Sequence, residues 1–191
     1  MDIKDFLEKA YSEVNDNIKF SEAKNAALIT LNSALIAWGG SIIFNSDIYF
    51  LYRVFVSAFV LLLIFPLICS IMSFRATTGS ESKLVKKLYA YLNSMNKIDS
   101  NPKKYLYYAY IHKHYNNNPK KYLNDVCTTE IDQNKKPYYE QMARQIVDLA
   151  GVAYRKFILF NIGIKSELII FLLGSLTVTV FLIIKCIIKA C

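Results

Sequence analysis

The chain has 191 residues, of which 54% are hydrophobic and 20% are charged, and its net charge is +8. The charges avoid three long apolar stretches, residues 26–44, 54–74 and 168–184. This segregation excludes an ordinary basic soluble protein, and the stretches leave too few residues for a large enzyme domain.

The first twenty residues have an apolar stripe at spacings of three and four, with charged residues in the gaps. The pattern predicts an amphipathic N-terminal helix over residues 1–25. No Gly or Pro occurs before Gly39, so this helix is expected to continue without a break into the first apolar stretch.

At about 1.5 Å per residue, each apolar stretch is long enough to cross a hydrocarbon core of ~30 Å. Residues 26–74 predict a transmembrane hairpin with a short turn at 45–47, and residues 166–191 predict a C-terminal transmembrane helix. The alternative for the last segment is a helix that stops partway or lies in the interface. The predicted fold is an all-α integral membrane protein: a two-span hairpin, a cytosolic basic helical region over 75–165 and a third span.

Orientation is predicted from the Lys and Arg residues, which number 16 between Arg75 and Lys165 against 7 Asp and Glu. The positive-inside tendency places this central region in the cytoplasm. Lys185 and Lys189 at the opposite end mildly oppose that orientation.

Polar residues occur at the start of the first span and inside it: Glu22, Lys24, Asn25 and Asn32. Lys19 and Glu22 are three apart, a spacing that allows them to pair, while Asn25 and Asn32 are seven apart and share one helix face. Polar side chains in spans usually face other helices. Either they fasten the bundle together, or they line a path or report a conformational change.

Small residues repeat every four positions along the first span, at Ser33, Ala37 and Ser41. This spacing lets two helices approach closely. The partner is either the second span or another copy of the chain, which makes a homo-oligomer one expectation.

The central region is predicted to begin with a polar turn at residues 76–80, followed by a helix over residues 84–95. It then contains the hexapeptide Asn-Pro-Lys-Lys-Tyr-Leu twice, at 101–106 and 118–123. Asn is a favoured helix cap and Pro suits the first turn, so both copies are expected to open short helices.

Lysines alternate with tyrosines around these repeats, which is typical of contacts either with a nucleotide or with anionic lipid headgroups. The candidate contact residues are Lys103, Lys104, Tyr105, Lys120, Lys121 and Tyr122. Duplex nucleic acid is not predicted as a partner. His112 and His114 are two apart and would point to different sides of a helix, so no metal site is predicted. No catalytic motif is present, hence no catalytic residues, no cofactor and no enzyme activity are expected.

Beyond Pro137 an apolar stripe recurs at an average spacing near 3.5 residues and leads into the third apolar stretch. If helical throughout, residues 138–188 would form a rod of about 75 Å. Such a rod is suited to carry a cytosolic signal into the membrane.

Residues 18–28 (Ile-Lys-Phe-Ser-Glu-Ala-Lys-Asn-Ala-Ala-Leu), the hairpin, and the helix over 145–156 before another span resemble the Pycsar-type transmembrane effector domain of bacterial antiphage systems. The resemblance implies an inner-membrane effector of abortive infection that assembles or opens on a cyclic-nucleotide signal and collapses the membrane barrier. The chain shows no separate cyclic-nucleotide-binding domain, so either the basic, Tyr-rich region or a partner protein would sense the signal. A different class of function is a membrane-anchored scaffold that recruits a cytosolic sensor or enzyme.

Overall fold

The computed structural model describes residues 2–47, 49–74, 105–116, 118–127 and 133–190, with side chains as far as Thr179 at the C-terminal end. These residues form five helices: α1 (Ile3–Ile43), α2 (Phe50–Phe74), α3 (Tyr108–Tyr115), α4 (Pro119–Val126) and α5 (Lys136–Ala190). No strand occurs in these ranges. Three of the helices, α1, α2 and α5, are long and apolar enough to cross a membrane. The predicted all-α membrane fold is confirmed.

Both long helices predicted from the sequence are continuous. Helix α1 runs for 41 residues, so the N-terminal amphipathic segment and the first apolar stretch belong to one helix. Helix α5 runs for 55 residues and includes the third apolar stretch. The predicted helix over 84–95 lies outside the described residues.

The chain divides into two compact units. Unit 1 comprises residues 1–24 and 73–158, and unit 2 comprises residues 25–72 and 159–191. Helices α1 and α5 each contribute residues to both units.

Unit 1 has a core of aliphatic and aromatic side chains. On α1, the predicted stripe is buried at Leu7, Ala10 and Val14, which are fully inaccessible to solvent. The Tyr108 ring stacks on the Phe157 ring, with centroids 5.0 Å apart. The amphipathic pattern of the N-terminal helix is therefore explained by packing within this unit.

Helix α4 begins as the second hexapeptide predicts. The Asn118 side chain accepts a hydrogen bond from the Lys121 backbone N–H at 3.1 Å, and Pro119 occupies the first turn. This satisfies one of the backbone donors that a helix start leaves unpaired. In the first hexapeptide, residues 101–104 lie outside the described residues.

Unit 2 contains the hairpin. Helix α1 ends at Ile43 and α2 begins at Phe50, and in the turn between them Asn45 Oδ1 accepts a hydrogen bond from the Asp47 backbone N–H at 3.0 Å. Many large apolar side chains of this unit are exposed, as a hydrocarbon solvent allows; examples are Leu61, Leu62, Leu172, Leu173 and Leu176. The two helices approach closely at Gly39, where an added Cβ would collide with Val60 Cγ2.

Gly39→Ala is expected to destabilise the hairpin by about 1–3 kcal/mol relative to Gly40→Ala, because the new methyl group overpacks the contact with Val60. A Cβ at Gly40 meets nothing within 4 Å. Gly40→Ala should therefore be neutral or stabilising by up to ~1 kcal/mol through helix propensity. Thermal unfolding of the two purified variants in the same detergent measures the difference, and equal melting temperatures would contradict the described packing.

Candidate functional site

A charged pair lies in unit 1 between helices α1 and α5. Lys156 Nζ donates a hydrogen bond to Glu22 Oε1 at 2.9 Å. The Lys156 side chain is only 4% exposed, whereas the Glu22 side chain is 44% exposed. A buried ammonium group requires a compensating charge, so Glu22 is the group that makes the position of Lys156 tolerable.

Aromatic rings surround this pair. Lys156 Nζ lies 5.5 Å from the centroid of the Phe74 ring, and Lys24 Nζ lies 4.2 Å from that of Phe20. The Phe20 and Phe157 rings have centroids 6.3 Å apart. We call Phe20, Glu22, Lys24, Lys156 and Phe157 the junction cluster. It brings together the two sequence segments on which the resemblance depends, residues 18–28 and the end of the helix over 145–156.

Lys19 does not pair with Glu22, although the spacing of the two residues allows it. Lys19 Nζ instead contacts Asp16 Oδ1 at 3.2 Å, and both side chains are about two-thirds exposed. Asp16 and Glu22 are each three residues from Lys19, so spacing alone does not choose between them. Glu22 is taken by Lys156, which no local pattern reveals because the two residues are 134 positions apart.

A second polar group lies within unit 2. Asn25 and Asn32 are both fully buried, and Asn32 Nδ2 lies 3.5 Å from Glu167 Oε2. Glu167 is 1% exposed and Ser70 is 0% exposed. Glu167 and Ser70 were missed in the sequence, since Glu167 directly precedes the third apolar stretch and a lone serine in a span is common.

The small residues of the first span are not covered by the part of the chain that the structure describes. Ser33, Ala37 and Ser41 are exposed, whereas Gly39 makes the close contact with α2. The second span therefore does not cover this small-residue face. Its use by another copy of the chain stays a prediction.

The candidate contact residues of the basic, Tyr-rich region have different surroundings. Lys120 and Lys121 are exposed, and Lys103 and Lys104 lie outside the described residues. The Tyr122 side chain is fully buried, and its hydroxyl donates a hydrogen bond to the Tyr105 carbonyl oxygen at 3.1 Å. Lys120 and Lys121 are therefore accessible to a ligand or to lipid, whereas the Tyr122 ring is part of the core.

His112 lies against helix α5. Its ring centroid is 4.8 Å from that of Tyr154, and its Nδ1 would be 3.2 Å from a Cβ added to Gly151. Burial, together with the positive charge of Arg155, lowers the pKa of His112 from 6.5 to about 4. The imidazole is therefore neutral at neutral pH.

His112 is expected to make unit 1 less stable in acid. Because its pKa is lower in the folded chain, the unfolded chain binds more protons between pH 6.5 and about 4, and stability falls as the pH falls through that window. The loss attributable to this group is up to ~3 kcal/mol. Melting temperatures of His112→Asn should depend less on pH in this window than those of the wild type. His114→Asn, at an exposed histidine, is the matched control for the loss of an imidazole.

A family model of the Pycsar effector protein domain matches residues 6–186, which is nearly the whole chain. This chain belongs to the Pycsar effector family. No curated protein and no solved structure matches the chain.

Membership in the Pycsar effector family indicates a membrane effector of antiphage defence. Three helices that are able to span a membrane agree with a location in lipid. The family is one of non-enzymatic effectors. Among the described residues, no group of three or more His, Cys, Asp or Glu side chains is arranged to hold a metal ion.

Proposed function

We propose that this Pycsar effector assembles with copies of itself in the bacterial inner membrane and breaches that membrane on receiving a cytosolic, cyclic-nucleotide-linked signal. The family match carries the proposal, since it covers the spans and the central region together. The polar and small residues of the spans support it further, because a purely structural anchor has little use for buried Asn32 and Glu167 in an apolar environment.

Self-assembly is supported by the exposed small-residue face of α1. Ser33, Ala37 and Ser41 leave room for the backbone of a second helix, and no described side chain of α2 occupies that face. Close packing of a second copy there would gain dispersion contacts that lipid tails do not provide as well. The homo-oligomer is thus built around the first span.

The signal is proposed to enter through unit 1, which would lie on the cytoplasmic side. The lysine and arginine excess between Arg75 and Lys165 supports this orientation. The exposed lysines Lys120 and Lys121 are suited to meet either a phosphate-bearing ligand, a nucleotide-sensing partner or anionic lipid headgroups. Helices α1 and α5, which contribute to both units, supply the mechanical connection.

The test expresses the full chain with its flanking genes in a bacterium and records membrane potential with a fluorescent dye during phage infection. Loss of potential before lysis is expected for the wild type and not for Ala37→Leu, whose side chain blocks close helix approach. Ala58→Leu, at an exposed alanine of α2, is the matched control and should keep the activity. Chemical cross-linking in membranes should yield oligomers of the wild type and of Ala58→Leu only.

The outcomes separate an effector from a scaffold. An intact potential in cells that stop growing would remove the claim of membrane breach. A chain that harms no membrane and co-purifies in a fixed ratio with a cytosolic protein would instead be a membrane-anchored scaffold. Asn32→Leu adds a second criterion, because it should impair a pore or a gating contact and leave a scaffold active.

A further inference from the structure

The polar group in unit 2 contains a carboxylate without a matching cation. Glu167 is 1% exposed, and no salt bridge to it is found among the described residues. Its depth follows from its neighbour Asn32, the seventh residue of the first apolar stretch, which is about 9 Å of helix from the start of that stretch. A carboxylate at such a position is costly unless its charge is compensated.

Three helices meet beside this carboxylate at Gly163, one turn before Glu167 on α5. A Cβ at Gly163 would lie 3.0 Å from Leu28 Cδ2 on α1 and 3.6 Å from both the Pro66 carbonyl oxygen and Ser70 Oγ on α2. Side chains of a helix lean toward its N-terminus, so Glu167 leans toward the level of Gly163. Asn32 leans in the same sense, since its Nδ2 also donates to the Leu28 carbonyl oxygen at 3.0 Å.

The oxygen atoms collected here are not all used. Asn32 Oδ1, Ser70 Oγ and Glu167 Oε1 are buried and have no hydrogen-bond partner in the described part of the chain. An amide carbonyl, a hydroxyl and a carboxylate are hard oxygen ligands. Together they supply oxygen atoms and one negative charge, and no hydrogen bond to Glu167 Oε1 is made by the described residues. This arrangement lacks a positive charge.

We propose that Asn32, Ser70 and Glu167 form a buried site for one small monovalent cation, supplied either as a proton or as a sodium ion. A sodium ion would be held by the three unused oxygens. A proton on Glu167 Oε1 would turn that oxygen into a donor, and Asn32 Oδ1 or Ser70 Oγ can accept its hydrogen bond. In both cases the charge of the carboxylate is neutralised within the apolar unit. The proposal does not depend on membrane breach, because it concerns the resting chain.

Among the described residues, no ion pair or hydrogen bond joins Glu167 to another ionisable side chain. On α1, Asn32 contacts Glu167 and Leu28 lies beside Gly163, and the nearest charged residue in sequence is Lys24. On α2, Pro66 and Ser70 lie beside Gly163, and Cys69, which precedes Ser70 in the sequence, is a buried titratable residue. On α5 itself, the nearby Lys165 is exposed and lies at a different helix angle.

The experiment measures the melting temperature of the full chain in nanodiscs of phosphatidylethanolamine and phosphatidylglycerol. In one arm, sodium chloride replaces N-methylglucamine chloride at constant ionic strength; in the other, the pH is lowered at constant sodium. A cation bound only by the folded chain should raise the melting temperature by roughly 5 °C or more at a hundredfold excess over its dissociation constant. Glu167→Gln keeps the shape and removes the charge, so it should abolish the rise.

Ser70→Ala distinguishes the two sources, since it removes one sodium ligand but leaves the carboxyl and amide of the proton site. A sodium-dependent rise that weakens in Ser70→Ala supports sodium; a rise on acidification that survives in Ser70→Ala and disappears in Glu167→Gln supports a proton. At each pH, the melting temperature of Glu167→Gln is subtracted from that of the wild type. The subtraction removes the contribution of His112, which has the opposite sign and is present in both chains. Glu8→Gln, at an exposed carboxylate, is the control that should behave as wild type.

Two results would overturn the proposal. The first is a wild-type melting temperature that depends on neither sodium nor pH once the Glu167→Gln series is subtracted. The second is a sodium dependence that Glu167→Gln retains in full. Should Glu167→Gln fail to fold, binding of radioactive sodium to the wild-type chain, and its displacement by protons, decides the question directly: a chain that binds no sodium and shows no acid stabilisation has no such site.

Discussion

Glu22→Ala is expected to lower the free energy of unfolding by about 2–4 kcal/mol, because it leaves the Lys156 ammonium group buried without its partner. Lys156 is 4% exposed at its side chain and hydrogen-bonds Glu22 at 2.9 Å. The expected loss stays below the largest values for buried pairs since Glu22 itself is 44% exposed. Chemical or thermal unfolding of the purified chain in detergent measures it.

Substitution of the other member of the pair, Lys156, should cost less stability. Lys156→Met replaces the buried ammonium by an apolar side chain of similar length and leaves Glu22 facing solvent, so a change within about 1 kcal/mol is expected. The double variant, which combines Glu22→Ala with Lys156→Met, should recover most of the stability that Glu22→Ala alone loses. This recovery is the coupling between the two residues, and a double variant as unstable as Glu22→Ala would contradict the described pair.

A matched control lies on the same helix. Asp16→Ala removes the partner of Lys19, but both side chains of that pair are about two-thirds exposed. Exposed pairs contribute ~0–1 kcal/mol, so this variant should unfold almost as the wild type does. Similar losses in Asp16→Ala and Glu22→Ala would show that burial of Lys156 is not what sets the effect.

The membrane fold was predictable because hydropathy and helix continuity are local properties. Uninterrupted apolar runs, the absence of Gly and Pro before Gly39, and the Asn-Pro start at Asn118 each act within a few residues of chain. Such signals determined α1, α2, α4 and α5 correctly. The resemblance to the family rested on residues 18–28, the hairpin and the helix over 145–156, and the family model confirms it.

The residues missed in the sequence act through distant contacts. In the sequence, nothing distinguishes Lys156 from the other basic residues of its helix. Its partner Glu22 lies on α1, 134 positions away. In the sequence, Glu167 is indistinguishable from a polar residue that ends a span. Its neighbour Asn32 is 135 positions away. Spacing rules rank partners along one helix and have no means of ranking partners on another. Nor does spacing choose between Asp16 and Glu22 as the partner of Lys19.

Tyr122 shows that local composition does not predict whether a side chain is buried. It belongs to a run of alternating Lys and Tyr that is typical of nucleotide or lipid contact, yet its side chain is completely buried. Its ring lies edge-on to Tyr115, with centroids 5.3 Å apart. Burial and the hydrogen bond to Asp125 raise the pKa of Tyr115 well above its usual value, as expected of a hydroxyl that stays protonated inside a core.

Tyr122→Ala is therefore expected to destabilise unit 1 by about 3–5 kcal/mol through the cavity it leaves, whether or not any ligand is present. Tyr122→Phe keeps the ring and loses only the hydrogen bond to the Tyr105 carbonyl oxygen, so it should cost about 1 kcal/mol. Tyr107, which is 43% exposed, supplies the control Tyr107→Ala with a loss well under that of Tyr122→Ala. Unfolding measured by near-ultraviolet circular dichroism tests the order of the three.

The same variants separate a core role from a contact role. Exposed Lys120 and Lys121 can be changed to alanine together without opening a cavity, so binding of the chain to anionic vesicles or to nucleotides can weaken in that variant while its melting temperature stays unchanged. Tyr122→Ala should instead lose stability and binding in parallel. A Tyr122→Ala chain that melts as the wild type does and yet fails to bind would indicate that Tyr122 contacts the ligand. It would contradict the place of Tyr122 in the core.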